Sequence, residues 1–298
     1  MATWTIKALL DWMTPFLADT QVDSPRLCSE LLLTHVLGLR RIELYTQFDR
    51  VLSPAELASL RSLVKRAGEH EPVGYLVGKS EFYSIEFDVQ PGCLIPRPET
   101  ELLVQHAIEA IRGYGDNPQV LDLCTGSGCI AVALAKNCDR VQVTATDISG
   151  EAIAIARANI HKHSLSERIE LLQGDLFTPL LQRRFDLVVS NPPYVSTLEF
   201  EGLDRNVKDY EPELALRAGD EGLDIYRRIL QNIGDHLTPE GVLMMEMGYE
   251  QGTVLRQLIG QTGLFGEIAL EKDFQGHERL VLAKTGVGQT RMGSTSPT

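Results

Sequence analysis

The chain of 298 residues predicts a doubly wound α/β domain with a mostly parallel, seven-stranded sheet, preceded by a small helical bundle and a β-hairpin connector. Three observations carry this reading. From about Pro98 onward, short runs of β-formers alternate with helical stretches, as they do when helices cover both faces of a parallel sheet. The first seventy-odd residues instead repeat apolar side chains at helical spacing. Between the two, apolar and polar residues alternate from Glu81 to Val89, after Gly74 and Gly78, as in a hairpin.

In the bundle, residues 1–72, Ile6, Leu9, Leu10, Met13 and Phe16 mark one apolar helix face. Ser24-Pro25 is a start signal, a cap followed by proline in the first turn, leading into LCSELLLTHVLGL. Ser53-Pro54-Ala55-Glu56 is a capping box that opens a helix running to about Ala67. Residues 73–97 form the hairpin connector. In the α/β domain, residues 98–284, strands are expected at Gln119–Cys124, Val141–Asp147, Ile169–Gln173, Phe185–Ser190, Gly241–Met247, Glu267–Leu270 and Leu280–Ala283. Helices are expected at Gly128–Asn137, Glu151–His163, Leu223–His236 and Glu250–Gly260. His161 and His163 fall at a polar helix end and are expected to be solvated. The tail, residues 285–298, is rich in Gly, Ser and Thr and is expected to be disordered.

Composition narrows the function. A net charge of −13 argues against stable binding to a nucleic-acid backbone, which needs a basic stripe. The N-terminal stretch carries acidic residues and no long apolar run, so no leader or membrane span is expected and a cytoplasmic protein is. Cys28, Cys93, Cys124, Cys129 and Cys138 form no Cys-x-x-Cys pair and no metal-ligand spacing with a histidine, which points to reduced thiols and no metal site.

A ligand crevice is legible at the carboxyl ends of successive strands. VLDLCTGSGCIAVALA is a strand, a glycine turn and a helix. Gly126 and Gly128 let the backbone turn sharply and approach a ligand, and the loop from Cys124 through Thr125 and Ser127 surrounds them. The pattern is neither the dinucleotide fingerprint nor a P-loop. Asp147 ends the next strand, near the offset at which an acidic residue takes ribose hydroxyls. Asp175 follows the third strand, with a carboxylate suited to an adenine amino group, and Leu176 follows it. Together these imply an adenosine-type ligand.

The fourth strand, FDLVVS, stops at Asn191-Pro192-Pro193-Tyr194, beside the first strand at the switch point of the sheet. Two prolines cannot continue a sheet interior. The tetrapeptide resembles the (Asn/Asp/Ser)-Pro-Pro-(Tyr/Phe/Trp) signature of enzymes that methylate planar nitrogens with S-adenosylmethionine. The chemistry suits those residue types. An amide nitrogen is a poor nucleophile because its lone pair is delocalised. Two aimed acceptors, the Asn191 side-chain oxygen and the Pro192 carbonyl, would hold its two N–H bonds and favour positive charge there. The prolines stiffen the backbone that aims them, and the Tyr194 ring offers a π face.

The tetrapeptide alone leaves adenine, cytosine, guanine and glutamine nitrogens open. Over nearly its full length the chain resembles the release factor glutamine methyltransferase family, the PrmC/HemK proteins. The resemblance rests on GYLVGKSEFYSIEFDV, LIPRPETELLV, DLCTGSGCIA, SNPPYV, YEPELALRAGDEGLDIYRRI, MEMGYEQG and DFQGHERLVLA, in that order. It implies a Rossmann-like class I methyltransferase domain and a helical domain that grips the substrate. It also implies methyl transfer from S-adenosylmethionine, leaving S-adenosylhomocysteine, to the glutamine N5 of the Gly-Gly-Gln loop of peptide chain release factors. It carries Asn191, Pro192, Pro193 and Tyr194 over as the amide clamp, and Cys124, Thr125, Gly126, Ser127, Gly128 and Asp147 as the cofactor site. Cys124 stands where many methyltransferases have the first glycine of the turn, and Leu176 where some members have tryptophan. A monomer is expected. The alternatives are a glutamine methyltransferase acting on a ribosomal protein, an amino-directed nucleic-acid base methyltransferase, which the acidity opposes, and a non-catalytic adenosine sensor. Arg97 and Glu99 are left outside the site, because Pro98-Glu99 fits a helix start.

Overall fold

Hydrophobic burial sorts the chain into two compact units. The computed structural model describes residues 4–286. One unit holds the residues up to Ser80 with Val89–Pro91 and Leu203–Glu211; the other holds Glu81–Asp88, Gly92–Gly202 and the residues from Pro212.

The first unit contains α1 (Ile6–Asp19), α2 (Pro25–Leu37), α3 (Arg41–Thr46), α4 (Pro54–Gly68) and α5 (Val73–Val77). The stripe of α1 buries Ile6, Leu9, Leu10, Met13 and Leu17. It closes on Leu17 and not on Phe16, which stacks on Trp12 at 5.5 Å. Ser53 and Glu56 form the expected capping box. Ser24 does not cap: its φ is 48° and its side chain makes no capping bond. Pro25, with its φ preset and no N–H to leave unpaired, starts α2 without it. Inside this unit Glu30 is buried and accepts from Arg26 and Arg41, each at 2.8 Å. The segment after residue 72, read as connector, first makes α5, because Tyr75 and Leu76 have apolar surface to bury. Tyr210 donates its hydroxyl to the Glu69 carbonyl at 3.2 Å, tying the third stretch of this unit to the end of α4.

β1 (Lys79–Phe82) and β2 (Ile85–Asp88) make the expected two-stranded hairpin. Its two-residue turn, Tyr83-Ser84, has positive φ at both positions, the twist that suits a tight hairpin.

The second unit continues with α6 (Thr100–Ile111), β3 (Gln119–Leu123), α7 (Cys129–Asn137), β4 (Gln142–Asp147), α8 (Gly150–Lys162), β5 (Ile169–Gln173) and β6 (Phe185–Ser190). After α9 (Thr197–Glu201), and α10 (Arg205–Lys208) of the first unit, come α11 (Asp224–His236), β7 (Leu237–Glu246), α12 (Gly252–Gln261), β8 (Phe265–Lys272) and β9 (Glu278–Thr285). The seven-stranded sheet runs in the order β5-β4-β3-β6-β7-β9-β8. Strands β3 to β7 are parallel, and β9 runs antiparallel between β7 and β8. This is the predicted doubly wound sheet. The chain steps outward from β3 to β5 and then returns to the other side of β3, which makes β3/β6 the switch point. The inner strands β3, β4 and β6 are almost wholly buried and rich in apolar residues for that reason, while the edge strand β5 is only partly buried.

His163 is half-buried where solvation was expected. Its Nε2 lies 2.8 Å from the Glu86 carbonyl, and its ring lies 5.6 Å from Phe87. Of the tail read as disordered, Thr285 still ends β9 and Gly286 donates its N–H to the Leu264 carbonyl at 3.3 Å. Residues 287–298 lie outside those described. Among the described residues no helix is long and apolar enough to cross a membrane.

Candidate active site

Parallel strands end together, so the residues that follow them meet. Leu123, the last residue of β3, pairs with Thr146 on one side and Ser190 on the other. Cys124, Asp147 and Asn191 therefore emerge side by side, and Asp175 follows one strand further out. They open on one cavity, whose lining also includes Thr125, Gly126, Leu176 and Pro193. Ser127, Gly128, Pro192 and Tyr194 do not line it. Ser127 and Pro192 are buried, and Tyr194 is partly so.

The glycine turn is held by the strand ends. Thr125 donates its N–H to the Thr146 carbonyl at 3.0 Å, and Gly126 donates to Asp147 Oδ2 at 2.9 Å. Asp147 Oδ1 accepts from the Ser149 N–H at 2.9 Å. Burial raises the Asp147 carboxyl above its usual range; the backbone donors oppose this. Cys124 adopts φ 59°, the left-handed region that a glycine enters more readily, and burial pushes its thiol up so that it stays neutral. Gly128, at φ 79°, also serves packing. A Cβ there would lie 3.3 Å from the Ala156 Cβ, so the glycine lets α8 sit against the turn.

Asp122 sits under the turn. Its Oδ2 accepts from the Thr125 hydroxyl at 2.6 Å and from the Ala131 N–H at 3.2 Å. Its Oδ1 is buried without a partner, and burial pushes its carboxyl up to about 7. At the other end of the cavity Arg228 pairs with Asp175 at 2.6 Å, both partly exposed. Ile148, Leu176 and Ile225 supply apolar wall.

The Asn-Pro-Pro-Tyr segment is gripped from elements far away in sequence. Asn191 donates from Nδ2 to the Thr100 hydroxyl oxygen at 3.0 Å, and Thr100 donates to Glu246 Oε2 at 2.6 Å. The Tyr194 hydroxyl donates to Glu246 Oε1 at 3.3 Å, and burial raises that phenol well above its ordinary value. Glu246, at the end of β7, is 3% exposed; burial pushes its carboxyl up to about 7. The Tyr194 carbonyl accepts from Gln251 Nε2 at 3.0 Å.

Sequence reasoning missed Thr100, Glu246 and Gln251. The one signal was Glu246 itself, a lone charge closing the apolar run VLMME, where an unpaired carboxylate would be costly. Arg97, set aside as part of a helix start, lines the cavity; Glu99 does not.

Residues 8–78 match the family described as PrmC N-terminal domain, and residues 98–204 the methyltransferase small domain. The chain is 45% identical over 282 residues to the release factor glutamine methyltransferase of Rhodopirellula baltica, covering 93% of this chain and 95% of that one. It is 43% identical over 283 residues to the protein of the same name from Geobacter sulfurreducens, covering 95% and 98%. A crystal structure of a methyltransferase from Pyrococcus furiosus superposes with a TM-score of 0.50 at 18% identity, over 68% of this chain and 90% of that one, a likeness of fold. With identity at this level running through both matched regions, the chain belongs to the release factor glutamine methyltransferase family.

Proposed function

We propose that the protein transfers a methyl group from S-adenosylmethionine to the N5 amide of the glutamine in the Gly-Gly-Gln loop of peptide chain release factors. One observation carries the reading. Asn191 and Pro193 line the same cavity as Asp147 and Asp175, so an amide acceptor and adenosine-type acceptors face a common space.

The residues present suit S-adenosylmethionine. The Asp147 carboxylate spends one lone pair per oxygen on backbone donors and keeps others for ribose hydroxyls. Asp175 offers an acceptor to an adenine amino group. Ile148, Leu176 and Ile225 suit the faces of a base. The Asp122 oxygen without a partner adds negative potential beneath the turn, in keeping with a cationic ligand. Bound there, S-adenosylmethionine supplies an activated methyl group.

What the chain's own residues supply is orientation and charge. Asn191 Oδ1 and the Pro192 carbonyl accept the two N–H bonds of the glutamine amide and turn its nitrogen toward the cofactor. As the nitrogen becomes positive, both acceptors bind it more strongly, which lowers the barrier and not merely the ground state. No strong base is required, since the methylated nitrogen is acidic and releases a proton readily.

Methyl transfer from labelled S-adenosylmethionine to an intact release factor tests the reading, run beside a Gly-Gly-Ala loop variant, a ribosomal-protein fraction and RNA. Label on the wild-type factor and none on the variant is the expected result. Label on a ribosomal protein or RNA alone would replace the substrate assignment, and cofactor binding without any transfer would replace the activity.

A further inference from the structure

We propose that Glu246 and Thr100 are positioning residues that fix which way the Asn191 amide faces, through a buried hydrogen-bond relay from carboxylate to hydroxyl to amide. The inference rests on the functional reading above for its catalytic consequence, but the relay itself stands on geometry.

An asparagine amide is ambiguous. Its oxygen accepts, its nitrogen donates, and the two ends are nearly the same size, so the surroundings must choose between them. Only the oxygen can accept a substrate N–H. The choice is made at Glu246. When ionised, Glu246 has no proton to give, so the hydroxyl 2.6 Å from its Oε2 must then be the donor. Thr100 has one hydroxyl proton and spends it there. Its Oγ1 can then only accept, and the group 3.0 Å away must be a donor. Of the two ends of Asn191, only Nδ2 qualifies. The reversed amide would set two oxygen lone pairs against each other at that distance. The relay thus turns Oδ1 away from Thr100 and leaves it free to accept.

The second carboxylate oxygen does related work. Oε1 accepts from the Tyr194 hydroxyl at 3.3 Å, so one buried side chain holds the first and last residues of the Asn-Pro-Pro-Tyr segment. Thr100 and Glu246 are 2% and 3% exposed. Water therefore does not compete for these bonds, and the geometry is set before any substrate arrives. The residues lie 146 and 91 positions apart along the chain. They meet because Glu246 ends β7 one place beyond Met245, which pairs with Ser190 just before Asn191.

The test compares the full chain with Thr100→Val, Thr100→Ser and Glu246→Gln. Turnover, KM for a release factor, cofactor Kd and melting temperature are measured for each. Thr100→Val keeps the shape and removes the hydroxyl; kcat should fall by about tenfold to a hundredfold, the loss expected when an aimed polar group is misdirected, with cofactor Kd within about threefold. Thr100→Ser should recover most of that loss. Glu246→Gln, which can donate as well as accept, should also lower kcat. The Asn191 side-chain amide, followed by nitrogen NMR, should exchange its protons slowly in the wild type and in Thr100→Ser, and quickly in Thr100→Val. Unchanged kcat in Thr100→Val, or a serine variant as impaired as the valine one, overturns the relay. A wild-type chain that leaves the release factor unlabelled overturns the functional reading instead, and the Asn191 amide signal then decides the relay alone.

Discussion

Replacing Asn159 with alanine removes a side chain that ties the hairpin to the cofactor turn. Asn159 sits on α8 and is fully buried. Its Oδ1 accepts from the Asp88 N–H at 2.8 Å, and its Nδ2 donates to the Asp88 and Ser127 carbonyls, each at 3.0 Å. Three bonds at about 1 kcal/mol net give a loss of about 3 kcal/mol. Stranding the buried Ser127 carbonyl adds about 1 kcal/mol or more, while water relieves part of the cost at the half-exposed Asp88. The expected destabilisation is about 3–4 kcal/mol, among the larger effects of a single substitution. Asn159→Asp should cost at least as much, because a carboxylate would face two carbonyls with nothing to donate. The assay is urea unfolding followed by far-UV circular dichroism. Both tryptophans, Trp4 and Trp12, lie in the first unit, so their emission does not report this one. A midpoint shift at constant m-value is the expected signature. A loss below about 1 kcal/mol would refute the reasoning, since it would mean that the three bonds are replaced by water or by each other.

Mild acid should move stability and activity in opposite directions. Burial holds Glu246 and Asp122 at about 7, above their unfolded values near 4, so between those limits the folded chain binds protons that the unfolded chain lacks. The melting temperature should therefore rise from pH 8 to pH 5.5, each group adding on the order of 2 kcal/mol of stability over that range. Turnover should fall over the same range, because a protonated Glu246 can donate to Thr100 and release Asn191; Arg279 and Glu99, the nearer charges, pull that carboxyl in opposite directions. A melting temperature that falls over this range would contradict the burial argument. Gly222→Ala should lower kcat at least about tenfold, with cofactor Kd unchanged: Gly222 has φ 70°, and a Cβ would lie 2.3 Å from the Tyr194 carbonyl oxygen. Wild-type kinetics would show that the turn yields freely. Asp147→Asn should raise the cofactor Kd by about tenfold to a hundredfold, since an amide nitrogen would face an N–H donor and fewer acceptors would remain for ribose. Calorimetric titration with S-adenosylmethionine measures it, and an unchanged Kd would remove Asp147 from the site.

Periodicity made the sheet legible because buried parallel strands must be apolar throughout, while the helices that cover them need one apolar face. Several of the elements that were missed are too short to show such a pattern. α5, α9 and α10 are each five residues or fewer, too short for a 3.6-residue period to show. Cys124, Asp147, Asp175 and Asn191 could be found from sequence because each follows a strand directly, and strand ends converge in an open sheet. Thr100 and Glu246 were hidden by the same logic. Thr100 opens a helix, where a threonine needs no further explanation, and Glu246 closes a strand from the far side of the switch point. Gly128 was read as a point of ligand approach; the 3.3 Å separation a Cβ would have from Ala156 adds a packing role, which the glycine pattern alone does not show.

A diproline turn has a weakness that explains where its supports come from. Proline lacks an N–H, so Pro192 and Pro193 cannot secure themselves by donating to neighbouring backbone. Rigid φ angles give the turn a shape but not a place. The segment is therefore anchored at its ends: Asn191 through Thr100 on α6, the Tyr194 hydroxyl through Glu246 on β7, and the Tyr194 carbonyl through Gln251 at the start of α12. Val195 then donates to the Leu216 carbonyl at 2.8 Å and accepts from Ala218 at 2.9 Å, which stops the chain beyond the turn from drifting. The anchors of Asn191 and Tyr194 belong to α6, β7 and the start of α12. Moving the clamp by the fraction of an ångström that would spoil an in-line transfer means distorting several of them together, and close-packed interiors resist that. The aim of a flexible amide is thus set by the stiffness of the whole domain.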